Sequence, residues 1–381
     1  MKVIWLGVSI VILTMSCSNS RGTSECATKL TYQPNPNTNG QDAVTNASVY
    51  FAELMTGSDD FFVRAKLDTG SSDLVISEND YLAGNDSRRG KRSYIFENQE
   101  AKSIAVNASD TFSLGCAVDV VGRFNLTSAK LNTPNILGLA YGDPARLPHE
   151  ANVEPFFDQL VKKKGFDDVI SLALCGPRGN SHVLLGGIDD NMDIGLSKFI
   201  PIIEKSSYVV PALTMRRADN KKFIAAFPSY DPKTKTGRKT ILDSGTSFNL
   251  LPIEMAAAMT KEVMLFAKEN LGPIFPDGYF RHERSTATKT ARFPSLANIR
   301  QFPIFEINFH GSDGKSKSLE LSPLHYFKEM DLDDPLVRTY AIRETDGEVI
   351  LGQPFLENHY VVFDRSQGRV GFGNINVACA D

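Results

Sequence analysis

No heptad pattern runs through the 381 residues, no cysteine and histidine spacing suits a zinc site, and no glycine-rich loop is followed by Lys-Ser or Lys-Thr. These absences exclude a coiled coil, a zinc module and a phosphate-cradling nucleotide site. Net charge is scarce as well. At −4 it offers nothing to nucleic acid or to an anionic membrane. The six histidines, His149, His182, His282, His310, His325 and His359, stand at unrelated spacings and read as surface or cap residues rather than ligands. Long hydrophobic runs are absent apart from one near the start. Lys2 precedes the apolar run from Val3 to Leu13, which leads into small residues near Ser16. That run is too short to span a bilayer comfortably, and its layout is that of a signal peptide, so residues 1–17 are read as an export signal. Cys17 follows Thr14-Met15-Ser16, a loose likeness to a bacterial lipoprotein box, which leaves lipidation at Cys17 as the alternative.

Cysteine is sparse and odd in number, five in all, whereas an oxidising compartment prefers pairs. Removal or lipidation of Cys17 leaves four. Asn-X-Ser/Thr sequons stand at Asn46, Asn85, Asn107 and Asn125, and they carry glycans only in a eukaryotic source. With 42% hydrophobic and 23% charged residues the chain is globular and long enough for two domains.

What is present is a repetition. Lys66-Leu67-Asp68-Thr69-Gly70-Ser71-Ser72 and Ile241-Leu242-Asp243-Ser244-Gly245-Thr246-Ser247 spell nearly the same run in the two halves of the chain. By average residue usage, two Asp-[Ser/Thr]-Gly-[Ser/Thr] matches in one such chain have a chance on the order of a few in ten thousand, so a shared origin is the better account. An apolar approach buries a strand, glycine permits a sharp turn after the carboxylate, and small hydroxyls can anchor it. If a pseudo-twofold axis relates the copies, Asp68 and Asp243 meet at it. Two such close like charges cannot both ionise, so one proton is shared and the pair can supply a base and an acid together. Each aspartate is followed by an apolar-apolar-Gly triplet, Ile136-Leu137-Gly138 and Ile350-Leu351-Gly352, which points to one unit duplicated within the chain.

With these runs, and with Asn135 to Tyr141, Gly186-Gly187-Ile188-Asp189 and Tyr360 to Arg365 running on to Val370-Gly371-Phe372, the chain resembles the pepsin-like aspartic endopeptidases over about residues 46 to 379. Val153 to Val161, Leu174-Cys175-Gly176 and Phe275-Pro276-Asp277-Gly278-Tyr279 are most similar to the memapsin or beta-secretase branch. That branch usually carries a C-terminal membrane span, and none is expected in this chain. The resemblance implies a catalytic pair, Asp68 and Asp243. It also implies that Thr69 and Ser244 cross-link two lobes beneath them, that Ser71 and Thr246 bind the outer carboxylate oxygens, and that Gly70 and Gly245 form the turns. It further implies a Cys175–Cys379 disulfide, which leaves Cys26 and Cys116 for each other, although other pairings and free buried thiols stay open. No metal or organic cofactor is implied. The implied substrate is a protein or peptide bound extended in a cleft between lobes, near a hairpin flap for which Tyr94 is the candidate tyrosine. Residues 95–100 contain no glycine, so the flap is expected to differ in shape or mobility.

Short alternating bursts such as Phe61 to Leu67, punctuated by turn residues, predict a mostly β, bilobal fold with a few short helices. The clearest helix is expected from Pro252 to about Asn270, with Met255, Met259, Val263 and Phe266 on its buried face; a shorter one starts near Pro155. Residues 18–45 read as a polar, loose extension, too short for the usual basic prosegment, so little or no zymogen control is expected. Residues 46–201 and 202–381 are the expected N- and C-terminal lobes. Arg88-Arg89-Gly90-Lys91-Arg92 reads as a solvated loop. Together these readings describe a monomeric, exported aspartic endopeptidase using an Asp/Asp-activated water at acidic pH, in the extracellular space or an endomembrane lumen. The alternative is a catalytically silent pepsin-fold protein that binds peptides or a protein partner.

Overall fold

A computed structural model describes residues 26–34, 47–56, 62–83, 87–97, 102–114, 117–127, 135–142, 153–189, 199–283 and 288–379. The signal segment, Cys17, Asn46, Asn85 and Cys116 lie outside the described residues.

The first half of the chain builds an eight-stranded sheet that contains the strand Phe62–Asp68, the strand Ile136–Gly138 and the long ribbon of Arg88–Glu97, Lys102–Leu114 and Ala117–Thr127. The alternation of buried and exposed residues in Phe62–Asp68 gives way to four buried residues as the strand enters the centre of the molecule. In the second half, Thr240–Leu242, Val349–Leu351, Asn249–Pro252 and Ile342–Thr345 form a smaller sheet on the same plan. A third, six-stranded sheet ties the halves together. It takes Cys26–Lys29, His182–Leu185 and Val169–Ala173 from the first half, then His359–Asp364 and Arg369–Asn374 from the second, and ends on Ile200–Pro201; the halves meet where Val169–Ala173 lies antiparallel against His359–Asp364. The result is a mostly β, two-lobed molecule with a few helices.

The helix Ile253–Asn270 buries Met255, Met259, Val263 and Ala267, with Phe266 partly buried beside them, as its 3.6-residue period requires. The helix Phe156–Lys164 turns Phe156, Phe157 and Leu160 into the core, where Phe156 meets Phe112 edge to face and Phe112 in turn meets Phe124. Cys175 and Cys379 form a disulfide, their Cα atoms 5.6 Å apart.

Three expectations are corrected. Residues 18–45 are not loose throughout: Cys26–Lys29 pairs antiparallel with His182–Leu185, and Thr31–Pro34 with Ser48–Phe51. Their alternation is too short to stand out in a polar stretch, and both are recruited by strands already in place. The run at Arg88-Arg89 is strand rather than loop, paired with Ala108 and Ser109 across an irregular register, with Arg89 exposed and ion-paired to Glu78. The Asn125 sequon cannot carry a glycan in the folded chain, because Asn125 is 0% exposed in the centre of the sheet between Val75 and Asn107. Among the described residues no helix is long and apolar enough to cross a membrane.

Candidate active site

Each aspartate sits at the end of a strand that pairs in parallel with its own triplet. Lys66, Leu67 and Asp68 lie opposite Ile136, Leu137 and Gly138, and Thr240, Ile241 and Leu242 opposite Val349, Ile350 and Leu351. The triplets then pair antiparallel with the strands that leave the aspartate turns, Leu137 with Leu74 and Ile350 with Leu250. Both turns are thus threaded by a third strand, and the glycine closing each triplet has no room for a side chain. A Cβ on Gly138 would stand 2.5 Å from the Asp73 backbone nitrogen, and one on Gly352 2.2 Å from the Phe248 carbonyl oxygen.

The two turns meet at the centre of the molecule. The Thr69 amide donates to Ser244 Oγ at 3.0 Å and the Ser244 amide to Thr69 Oγ1 at 2.9 Å. Each hydroxyl then donates across the interface, Thr69 Oγ1 to the Leu242 carbonyl at 3.1 Å and Ser244 Oγ to the Leu67 carbonyl at 3.0 Å. These buried, fully paired hydroxyls lock one turn against the other.

The carboxylates themselves are held alike. Asp68 accepts from the Gly70 amide at 2.8 Å and from Ser71 Oγ at 2.6 Å; Asp243 accepts from the Gly245 amide at 2.7 Å and from Thr246 Oγ1 at 2.5 Å. A Cβ on Gly70 would stand 2.6 Å from Asp243 Cγ, and one on Gly245 2.5 Å from Asp68 Oδ1. Only glycine lets the opposite carboxylate come so near. Asp68 and Asp243 are 9% and 8% exposed. Burial, the charge of Asp68 and a hydrogen bond with it push the Asp243 carboxyl up to about 7, against the pull of the Thr246 hydroxyl and Lys66. One proton therefore stays on the pair well above the ordinary carboxylate range, as in the aspartic protease dyad that exemplifies coupled carboxylates.

A family model described as eukaryotic aspartyl protease matches residues 113–375, a span that includes the second aspartate run. The chain belongs to this family. It is similar to a beta-secretase of Strongylocentrotus purpuratus, 24% identical over 364 aligned positions that cover 85% of this chain and 66% of that protein. It thus spans about two thirds of that relative's length. It is also similar to pepsin-2B of Gadus morhua, 22% identical over 85% of this chain and 95% of that one. Vacuolar protease A of Neurospora crassa is 24% identical over 84% and 77%.

Tyr94 lies in the hairpin formed by Arg88–Glu97 and Lys102–Leu114, opposite Ala105 in the register, and the tip between those strands lies outside the described residues. The Cys26 sulfur is buried and lies 3.2 Å from the Leu114 carbonyl, at the end of the strand leading toward position 116. Among the described residues no group of three or more His, Cys, Asp or Glu could hold a metal.

Residues that sequence reasoning passed over complete the site. Gln353, directly after the second triplet, donates to the Ser244 carbonyl at 2.9 Å and accepts from Ser48 Oγ at 2.6 Å, tying the second turn to the first lobe. Lys66 also corrects the reading of an apolar approach to each aspartate: it is buried, and its Nζ lies 3.4 Å from the Gly245 carbonyl. The signal for it was visible, a lysine where the second copy has Ile241.

Proposed function

We propose that this chain is an exported endopeptidase that hydrolyses peptide bonds with a water held between Asp68 and Asp243. One carboxylate takes the proton of the attacking water, while the protonated partner polarises the scissile carbonyl. The observation that carries the reading is the matched pair of carboxylates, each fixed by a glycine amide and a hydroxyl, with the Asp243 carboxyl pushed up to about 7. A singly protonated dyad then persists through mildly acidic pH, and activity is lost as the last proton leaves toward neutrality. An extended peptide would add to the edge of the hairpin containing Tyr94, with main-chain bonds giving affinity and side-chain pockets preference. Residues 1–17 would be removed on export.

The test is incubation of the mature chain with a denatured protein from about pH 3 to 7, the range in which a shared-proton dyad works. A statine-type transition-state mimic and the Asp68→Asn and Asp243→Asn variants are run in parallel. Cleavage should be blocked by the mimic and abolished in both variants. Cleavage that persists in both, insensitive to the mimic, refutes the proposal. Tight binding of the mimic without cleavage by the wild type favours a silent peptide binder, a reading supported by the absence of glycine from residues 95–100.

A further inference from the structure

Lys66 is out of keeping with its strand. It is 1% exposed among four consecutive buried residues, and no symmetry of the fold calls for it, since Ile241 fills the equivalent place before Asp243. Residues two apart in a strand share a face, so Lys66 projects from the same side as Asp68. Its Nζ reaches across the lobe interface to within 3.4 Å of the carbonyl of Gly245, the residue whose own amide binds Asp243. A buried ammonium is retained where negative charge compensates the lost hydration. The charges that act on it are Asp68 from its own strand and Asp243 from the facing turn, both favouring the charged form against burial, which lowers the Lys66 pKa. The flanking strands set Phe51 and Ile136 beside it in register, and neither titrates. Asp80 accepts from the Asn135 side chain at 2.9 Å.

We propose that Lys66 is a positioning residue whose buried ammonium lies beneath the dyad and sets the pH window in which the dyad works. The inference rests on the peptidase reading above. In the working state the dyad holds one proton and one negative charge, and the ammonium makes the trio neutral. A fixed positive charge favours ionised carboxyls, so it moves both dyad ionisations down in pH. Removing it moves both limbs of the activity profile up.

The experiment compares the pH profile of kcat/KM for the wild type, Lys66→Met, Lys66→Leu and Lys66→Arg. Both limbs should shift upward by about one pH unit or more in the Met and Leu variants and stay in place in the Arg variant. Superimposable profiles, or a uniform loss of rate with unmoved limbs, overturn the inference, because a merely structural lysine would change the amount of active enzyme and not its titration. Should the apolar variants not fold, the wild-type protein decides the matter. Nuclear magnetic resonance of lysine labelled at Cε, with Lys66 assigned by through-bond correlation, should show a charged ammonium throughout the active range. A neutral amine there overturns the inference. A wild type that cleaves nothing sinks the peptidase reading and the activity window with it; the Lys66 titration, which needs no turnover, separates that outcome from a failure of the charge assignment.

Discussion

Asp243 is where opposing demands on one residue are plainest. Its carboxyl is fixed by the Gly245 amide and the Thr246 hydroxyl, yet burial and Asp68 oppose its charge. Between its ordinary value of 3.8 and its folded value of about 7, the native state keeps a proton that the unfolded chain has released. Stability from this group is therefore complete below the lower value and is lost as pH rises through the upper one. Asp243→Asn cannot ionise, so it should melt at higher temperature than the wild type at neutral pH, by several degrees, with the gain vanishing at about pH 3.5. Thermal melts at the two pH values check this; a gain confined to acid pH would contradict the assignment of the shared proton. The cost of burying this carboxylate is thus measurable without any assay of activity.

Elements of the two lobes are joined by buried polar pairs as well as by the shared sheet. Glu357, just after the short helix Gln353–Leu356, accepts from Tyr50 at 2.7 Å and pairs with the buried Lys328, while the Tyr50 hydroxyl accepts from the Gly176 amide at 3.0 Å. Two side chains meet at one carboxylate, and through the Tyr50 hydroxyl the network ties together four segments from both halves. Glu357→Ala strands the Lys328 ammonium in the interior and should cost about 3–5 kcal/mol in denaturant unfolding. The double variant Lys328→Met/Glu357→Leu should recover most of that loss, because a buried pair gains little over well-packed apolar groups of similar volume. If the double variant is as unstable as the single one, the pair contributes more than mutual compensation.

For the whole molecule, the shared sheet and the disulfide serve one end: they hold the lobes so that two turns formed far apart in the chain meet. Cys175, just past the strand Val169–Ala173 of the six-stranded sheet, is bonded to Cys379, 204 residues away. Reduction, or Cys379→Ser, should lower stability by about 2–4 kcal/mol through the freed unfolded chain. Binding of the transition-state mimic should survive at low temperature, since no dyad contact passes through the sulfurs. A melt unaffected by reductant would show that the sheet alone suffices.

What was readable in the chain was what short stretches encode. The aspartate runs and their triplets declared a duplicated unit because the turn chemistry requires those residue types in that order. The helix Ile253–Asn270 declared itself by period, and its methionines lie in the core accordingly. The strands within residues 26–34, the strand at Arg88-Arg89 and the burial of Asn125 could not be read, because each depends on a partner strand distant in sequence. The lysine two residues before Asp68 was visible in the chain, but that its ammonium reaches the Gly245 carbonyl of the facing turn was not. Composition and local order determined the chemistry available, two carboxylates with glycines and hydroxyls beside them. Only the tertiary structure decided that they meet, that Gln353 braces their turns and that Lys66 lies beneath them. Long-range pairing sets which groups lose water together, and that shared desolvation sets their charge.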